Sequence, residues 1–316
     1  MIRYISWSVL PQLSSEVESS SRSNLNMASK NYLISTVLAI VSLWNLASGI
    51  EPNLDYTKPS VEVGKRLKSY DPKTSPEFPH EYGFGHYYQG DIILRPQEAI
   101  KKKGRLALND QFVIEKWFDA IVPYVIKGNF TKRELGLLED SFAQFAAQTC
   151  VRFVPRTNQG HFVTFTNADE GCYSFVGRSP YNDFNRINLQ SPQCFTDIGT
   201  PVHEMMHAIG FFHEFTRFDR DEYVTINTSN LRPEYQDPEF IATNFGILDP
   251  ALTTTYNVPY NYRSVMHYSR FAGSVGLCCP VINNIKPYFG DFGSITGLTP
   301  RDTIQINAKY CKKSNL

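Results

Sequence analysis

Three histidines lie close together between residues 203 and 213, and their spacing is suited to metal binding. His203 and His207 are four residues apart, so on an α-helix both imidazoles lie on one face, one turn apart. Gly210 allows the chain to leave the helix sharply, because glycine tolerates the left-handed conformation, and His213 can then return as a third ligand. Three histidines with a fourth position open predict a catalytic zinc site that holds one Zn²⁺ per chain.

Glu204 follows the first histidine directly, where its carboxylate can take a proton from a water molecule that the metal activates. His-Glu-x-x-His alone arises by chance in about one in a hundred chains of this size, and on a helix it can be a solvated surface. The added glycine and third histidine, at fixed offsets, favour metal ligation over that structural alternative.

The string His-Glu-x-x-His-x-x-Gly-x-x-His is the metzincin signature, and its surroundings resemble the astacin branch of that clan. The resemblance rests on residues 210–214 with the charged residues after them, and on the Ser-Val-Met-His-Tyr string at 264–268. It covers roughly residues 84 to 311. It implies an α+β fold with two lobes around a cleft. The upper lobe would hold a twisted mixed sheet and two long helices, including the zinc helix, and the lower lobe would be mostly irregular.

The resemblance also implies roles for four further residues. Met266 would lie in a turn beneath the histidines without ligating the metal. Tyr268 would be an extra zinc ligand that can leave the metal and donate its hydroxyl to the oxyanion. Glu214 would receive the new N-terminal ammonium after activation. Asp91, in the aromatic-x-Gly-Asp motif at residues 88–91, matches an aspartate that occupies the open zinc position in zymogens of the family. The alternative for this motif is an ordinary Gly-Asp turn.

Composition divides the chain into four predicted segments. Residues 1–26 are a polar leader, which the protein lacks if translation starts at Met27. Residues 27–49 carry a basic start, an interrupted apolar run and small closing residues, which are typical of a secretory signal peptide. The alternative is a membrane anchor, for which the run is too short. We predict a propeptide over residues 50–106 and a catalytic domain over residues 107–316.

The predicted propeptide ends in a basic cluster at residues 101–105. Such clusters are usually solvated loops, but this one also suits a trypsin-like or furin-like activating protease. The mature chain would then begin near Leu106 or Ala107. Lysines plus arginines and acidic residues number 31 each, so charge gives no case for nucleic acid or an anionic membrane as a partner.

The six cysteines permit fifteen pairings. By position, the resemblance implies one bridge from Cys150 to Cys311 and another from Cys172 to Cys194. The adjacent pair has no general counterpart in the family, and three states are open for it: free thiols, a strained bridge between neighbours, or an intermolecular bridge. We favour the bridge between neighbours for this pair, which is Cys278 and Cys279.

Apolar patterning predicts the elements around the site. A strand with an edge proline is predicted over Ile121–Ile126, followed by a helix that Thr131 caps and that ends near residue 150. Residues 172–177 resemble the astacin edge strand that pairs with extended substrate, although a simple half-buried strand fits the same spacing. Two sequons predict N-glycosylation, at Asn129 and Asn227.

Together these features predict a secreted, extracellular zinc metalloendopeptidase. It would be made as a zymogen and would hydrolyse protein or peptide substrates as a monomer without stable membrane association. A binding protein on an inactive protease scaffold would have lost Glu204, a histidine or Tyr268, and none is lost. A thermolysin-like peptidase would need a distant glutamate as third ligand, whereas His213 is already present. Digestive, hatching, developmental and venom roles remain open.

Overall fold

The computed structural model describes residues 55–96, 115–251 and 253–311. The described strands are β1 Ile121–Ile126, β2 Arg152–Pro155, β3 Val163–Thr166, β4 Cys172–Ser174, β5 Arg186–Leu189, β6 Val224–Ile226 and β7 Ile282–Asn284. The described helices are α1 Val61–Leu67, α2 Lys132–Gln148, α3 Gly199–Ala208, α4 Pro238–Phe245 and α5 Pro300–Tyr310. The predicted leader, signal peptide and basic cluster lie outside these ranges. None of the described helices combines the length and apolar character needed to span a membrane.

The first five strands form one mixed sheet with the order β2-β1-β3-β5-β4. β1 runs parallel to β2 and β3, β3 runs parallel to β5, and β4 pairs antiparallel with β5. β4 therefore lies at the end of the sheet, which agrees with the edge strand predicted at residues 172–177. β6 and β7 form a separate antiparallel pair. A mixed sheet combined with packed helices confirms the α+β class.

Pro123 lies in β1, which is an interior strand of the sheet, so the prediction that this proline lies at an edge was wrong. β1 has neighbours on both sides, but they cover different parts of it. β2 pairs with residues 121–124, whereas pairing with β3 begins only at Tyr124. Pro123 precedes that point, so the strand has one neighbour where the N–H is missing, and no ladder hydrogen bond is lost there.

Helix α2 begins with a capping box and packs one apolar face on the sheet. The Thr131 side chain accepts from the Glu134 N–H at 3.3 Å, and the Glu134 carboxylate accepts from the Thr131 N–H at 2.7 Å. Leu138 and Phe145 are fully buried at helical spacing. They share a core with α3 and the inner strands, including Val122, Phe165 and Val202.

The second half of the chain builds a different, aromatic core. Phe215, Tyr260, Tyr268 and Phe292 are buried in it, together with Phe84 from the predicted propeptide. Between α3 and α5, the described chain forms short turns of helix, α4 and the β6–β7 pair. This region agrees with the mostly irregular lower lobe that the resemblance predicts.

Three disulfides close the described chain, namely Cys150–Cys311, Cys172–Cys194 and Cys278–Cys279. The first joins the end of α2 to the end of α5, and the second joins β4 to the segment before α3. In the third, the two Cα atoms are 3.8 Å apart, which is the ordinary spacing across a trans peptide. The structure thus pairs adjacent cysteines without a cis peptide between them.

Candidate metal centre and active site

Helix α3 is fixed at its N-terminus by Asp197. One carboxylate oxygen of Asp197 accepts from the N–H groups of Gly199 at 2.8 Å and Thr200 at 3.3 Å. These N–H groups have no partner within the helix, so the carboxylate satisfies them. Pro201 follows in the first turn, where its missing N–H costs nothing. The helix therefore starts one turn before its first histidine.

The helix ends just beyond its second histidine. The last helical residue is Ala208, and Gly210 then adopts a φ of 88°, in the left-handed region. Glycine reaches this region without the strain that a Cβ would introduce. The reversal carries the chain back, so that His213 points at His203 and His207. The Nε2 atoms of His203 and His207 lie 3.3 and 3.2 Å from that of His213.

Asp91 of the predicted propeptide completes the group. Its carboxylate oxygens lie 2.9 Å from the Nε2 atom of His203, 3.2 Å from that of His207 and 3.1 Å from that of His213. All four side chains are buried. The structure thus brings together at one point the four side chains that the sequence analysis predicts as zinc ligands.

The other nitrogen of each imidazole faces an oxygen atom. The Nδ1 distances are 2.6 Å from His203 to the Val265 carbonyl, 2.7 Å from His207 to the Phe211 carbonyl, and 3.0 Å from His213 to the side-chain oxygen of Gln89. These oxygens only accept, so each Nδ1 must carry the proton. Each Nε2 then presents a lone pair to the shared centre, which is the orientation a metal ligand needs.

The donor set fits one zinc ion. The ligand atoms of the four side chains all lie within 4.8 Å of one another. The lone pairs of the three imidazole nitrogens and the Asp91 carboxylate repel one another at this short range, and their burial adds a desolvation cost. A cation at their centre offsets both the repulsion and the desolvation cost. Three imidazole nitrogens with one carboxylate oxygen are a donor set that tetrahedral zinc accepts.

Glu204 and Tyr268 lie beside this group and are both fully buried. Neither carboxylate oxygen of Glu204 has a hydrogen-bond partner among the described residues. Burial, and then the Asp91 charge, raise the pKa of Glu204 well above its ordinary value. Burial and Asp91 likewise raise the pKa of Tyr268, whose hydroxyl donates to the Gln89 carbonyl at 2.6 Å. The phenol therefore binds a backbone oxygen of the predicted propeptide and also lies against the group of four side chains, with its ring centroid 4.4 Å from that of His213.

The predicted propeptide reaches the site through a tight turn that Gly90 makes possible. Gly90 has a φ of 99°, and a Cβ built on it would lie 2.7 Å from the Tyr268 hydroxyl. The next residues pair with the edge strand in parallel. Ser174 donates to the Asp91 carbonyl at 3.0 Å, and Ile93 donates to the Ser174 carbonyl at 3.1 Å. This segment thus extends the sheet while it carries Asp91 to the histidines.

Asp302 binds the turn at residues 264–268. The sequence analysis did not predict this contact. The Asp302 carboxylate accepts from Ser264 Oγ at 2.6 Å and from the Val265 N–H at 3.1 Å. Met266 is buried in this turn, and its carbonyl accepts from the Glu214 N–H at 2.9 Å. The capping-box spacing of Thr-Pro-Arg-Asp at 299–302 is visible in the sequence, but it does not reveal that Asp302 also contacts the turn.

Glu214 lies at the wall of a cavity of about 260 Å³. Its carboxylate accepts from Arg217 at 2.9 Å and from the Asn261 N–H at 2.8 Å. Burial, opposed by Arg217, raises the pKa of Glu214 to about 7. Lys116, near the start of the second described range, lines the same cavity.

Three residues of the predicted propeptide, upstream of Asp91, were also missed. The His80 ring stacks on His203 with centroids 4.0 Å apart. Glu77 and Glu81 are buried and pair with residues that follow Tyr268. No spacing rule predicts such contacts, because they join segments that are far apart in the sequence. The two sequon asparagines, Asn129 and Asn227, are both exposed.

The chain resembles known proteins over its second part. The family model for the Astacin peptidase family matches residues 109–311. Zinc metalloproteinase nas-8 of Steinernema carpocapsae is 33% identical over 225 residues, which are 71% of this chain and 51% of that protein. High choriolytic enzyme 2 of Oryzias latipes is 35% identical over 190 residues, which are 60% of this chain and 63% of that protein.

A solved structure gives the same result. High choriolytic enzyme 1, a hatching enzyme zinc-protease from Oryzias latipes, has 34% identity and a TM-score of 0.53, over 62% of this chain and 92% of its own. The chain spans about half the length of the curated relatives it matches, from 42% to 54% for three of them. Because the matched span contains the three histidines, Glu204 and the whole mixed sheet, the chain belongs to the astacin family of peptidases.

Proposed function

We propose that this chain is a secreted zinc endopeptidase, made as a zymogen, that cleaves peptide bonds in protein substrates. The observation that carries the proposal is the unpartnered, buried carboxylate of Glu204 beside three convergent imidazole nitrogens. A buried carboxylate without hydrogen-bond partners lowers the stability of the fold. Such a group therefore needs an explanation, and a catalytic role provides one. When bound, zinc would polarise the scissile carbonyl and acidify the attacking water.

Glu204 would act as general base and then as general acid. It takes a proton from the attacking water while the water oxygen bonds to the carbonyl carbon. It gives that proton to the amide nitrogen as the C–N bond breaks, so a carboxylate and a free amine are released. Tyr268 would donate its hydroxyl to the developing oxyanion. Its present hydrogen bond to a backbone carbonyl, at 2.6 Å, supports this role.

The edge strand β4 would hold the substrate main chain. Its Ser174 now exchanges hydrogen bonds with propeptide backbone at Asp91 and Ile93. Once the propeptide has left, the same N–H and C=O groups are available to an extended peptide. Backbone pairing of this kind is largely independent of side chains, which suits an enzyme that cuts proteins.

Asp91 would keep the zymogen latent because it fills the position that water needs. An activating protease that cuts in the basic cluster at residues 101–105 would release it. The new N-terminal ammonium would then enter the cavity beside Glu214. The position of Lys116 on the wall of that cavity supports this path, because Lys116 is the second residue that the structure describes after the basic cluster.

Secretion and the monomeric state belong to the same proposal. The signal-like segment at residues 27–49, the three disulfides and the two exposed sequons all suit an extracellular protein. The relatives named as hatching enzymes and zinc metalloproteinases make protein substrates the natural class.

The test is activation of the purified zymogen with trypsin. We expect zinc-dependent cleavage of casein after trypsin treatment and little before it, with a new N-terminus between Arg105 and Leu108. A zinc chelator should abolish the cleavage, and added zinc should restore it. A protein that binds zinc and carries this N-terminus, yet cleaves neither casein nor a peptide library, would overturn the proposal.

A further inference from the structure

Residues 208–211 form the exit turn, through which the chain leaves α3 on its way to His213. Three consecutive carbonyl oxygens of this turn accept hydrogen bonds from side chains that lie far away in sequence. In the order of the carbonyls of residues 208, 209 and 210, the donors are Trp117 Nε1 at 2.8 Å, the Tyr310 hydroxyl at 2.9 Å and Lys309 Nζ at 2.5 Å. The exit turn is therefore held by groups from outside the helix.

The carbonyls of the exit turn need such donors. The last carbonyl groups of a helix have no partner within it, and residues 208–210 are buried. A buried carbonyl oxygen without a donor destabilises the conformation that contains it. The three side chains therefore stabilise the observed course of the turn over other courses, in which these carbonyls would lack a donor.

The exit turn bears on two of the predicted zinc ligands. The Nδ1 atom of His207 donates to the Phe211 carbonyl, within the turn, at 2.7 Å. His213 follows the turn two residues later, and its Nε2 atom lies 3.2 Å from that of His207. A change in the course of the turn would therefore move both imidazoles relative to His203.

The donors Lys309 and Tyr310 come from the C-terminal end of α5, which is itself anchored. The next residue, Cys311, forms the disulfide with Cys150 just beyond α2. The Lys116 side chain donates to the Lys309 carbonyl at 2.9 Å. None of these contacts involves the predicted propeptide, so its proposed departure leaves them in place.

Lys309 differs from the other two donors in its surroundings. Trp117 is buried in the core that α3 shares with the sheet and Tyr310 packs against that core, so both side chains also fill volume. The Lys309 side chain is half-buried, and in the part of the chain that the structure describes the Gly210 carbonyl is the only hydrogen-bond acceptor of its Nζ atom. This atom also lies 4.7 Å from the centre of the Phe211 ring, in the same turn. The amine of Lys309 is thus directed at the exit turn.

We propose that Lys309 is a positioning residue of the metal centre. Its hydrogen bond to the Gly210 carbonyl fixes the exit turn and so directs His213 at the zinc position. The Tyr310 hydroxyl holds the preceding carbonyl in the same way. Lys309 acts through the turn and does not touch the substrate. The inference rests on the proposed function, because it takes His213 to be a zinc ligand.

The first measurement is zinc affinity, by competition with a zinc-binding dye, in both the zymogen and the trypsin-activated protein. Lys309→Met removes the donor and keeps a side chain of similar length. We expect its dissociation constant for zinc to rise about tenfold, the lower end of the effects seen when groups that orient metal ligands are lost. Lys309→Arg, which keeps a donor, should retain most of the affinity. The control Lys132→Met, at an exposed lysine of α2, should leave it unchanged.

The second measurement separates positioning from a general loss of stability. Co²⁺ replaces zinc in each variant, and its visible absorption bands report the geometry of the ligands. We expect the bands of Lys309→Met to differ from those of the wild type, and those of Lys309→Arg and Lys132→Met to match it. A variant that only unfolds more easily would keep the wild-type bands in its folded fraction.

Tyr310→Phe is the second variant, and it carries the test if Lys309→Met does not fold. It removes only a hydroxyl, and we expect the dissociation constant for zinc to rise about threefold, as is typical of one lost hydrogen bond. Wild-type zinc affinity and wild-type cobalt bands in Lys309→Met, or in Tyr310→Phe if only that variant folds, would overturn the inference.

A loss of zinc affinity confined to the activated protein would also overturn it, because Lys309 would then act on what fills the cavity that it lines. A wild-type protein that binds zinc but cleaves no peptide contradicts the proposed function instead, and the metal measurements still decide the role of Lys309.

Discussion

Glu204 differs from the other buried carboxylates near the cleft in having no partner. Asp302 accepts from the turn at residues 264–268, Glu214 from Arg217, and Glu81 from Ser269. Those three carboxylates hold elements together, and their hydrogen bonds offset their burial. Both oxygens of Glu204 are left without a partner in the described chain, which is the condition a general base needs.

Asp91 is the residue whose replacement should change latency most directly. In the Asp91→Asn zymogen the neutral amide is a poorer zinc ligand, so water can compete for the fourth position. We expect activity before trypsin treatment to rise about tenfold or more over the wild-type zymogen. The control is Asp71→Asn, an exposed aspartate of the same propeptide, which should stay latent. Equal latency in both variants would mean that the propeptide blocks the cleft by bulk alone.

At the scale of elements, the exit of α3 decides whether the third histidine reaches the metal. Gly210 holds a φ of 88°, so Gly210→Ala should cost about 1–2 kcal/mol of unfolding free energy. It should also weaken zinc binding, because His213 lies three residues further on. Gly136 in α2 is the matched control, since a Cβ there meets nothing within 4 Å.

In the control, Gly136→Ala should stabilise the helix by about 0.5–1 kcal/mol and leave zinc affinity unchanged. Urea unfolding and competition with a zinc-binding dye measure the two effects. Unchanged zinc affinity in Gly210→Ala would show that the glycine is not what directs His213.

The three disulfides should contribute very unequally to stability. The Cys150–Cys311 bridge spans 161 residues, so its loss, by serine at both positions, should cost about 4–5 kcal/mol in the chain-entropy model. The 22-residue bridge between Cys172 and Cys194 should contribute about 3 kcal/mol. The bridge between neighbours closes almost no loop, so serine at Cys278 and Cys279 should change stability least.

Chemical denaturation of the three double variants measures this order, and non-reducing peptide mapping checks the pairs. A peptide linking Cys278 or Cys279 to another cysteine would contradict the pairing.

At the scale of the whole molecule, local spacing carried the predictions that succeeded. The convergence of the three histidines, the edge strand and the cap of α2 follow from residues close together in sequence. The contacts of His80, Glu77, Glu81 and Asp302 were not predictable, because each joins segments that only the tertiary fold brings together. Pro123 was not predictable for the same reason. An interior strand accepts this proline only because pairing with β3 begins one residue later, at Tyr124.

The described part of the predicted propeptide, residues 55–96, packs its side chains into the cores of the molecule. Tyr87 and Ile93 share a buried cluster with Tyr173 of β4, and Phe84 lies in the aromatic core. Its proposed departure would therefore expose apolar surface as well as the proposed catalytic groups. The proposed latency would therefore combine a metal ligand, an added strand and buried side chains.

The central claim is that one zinc ion held by His203, His207 and His213 works with Glu204 as the base. The most direct measurement is zinc content and casein cleavage in the activated Glu204→Ala variant, beside Glu139→Ala as an exposed-glutamate control. We predict one zinc per chain in both variants, wild-type turnover in the control, and a loss of about 10²–10⁴-fold in Glu204→Ala. Turnover near the wild-type value in Glu204→Ala with zinc bound would contradict the account.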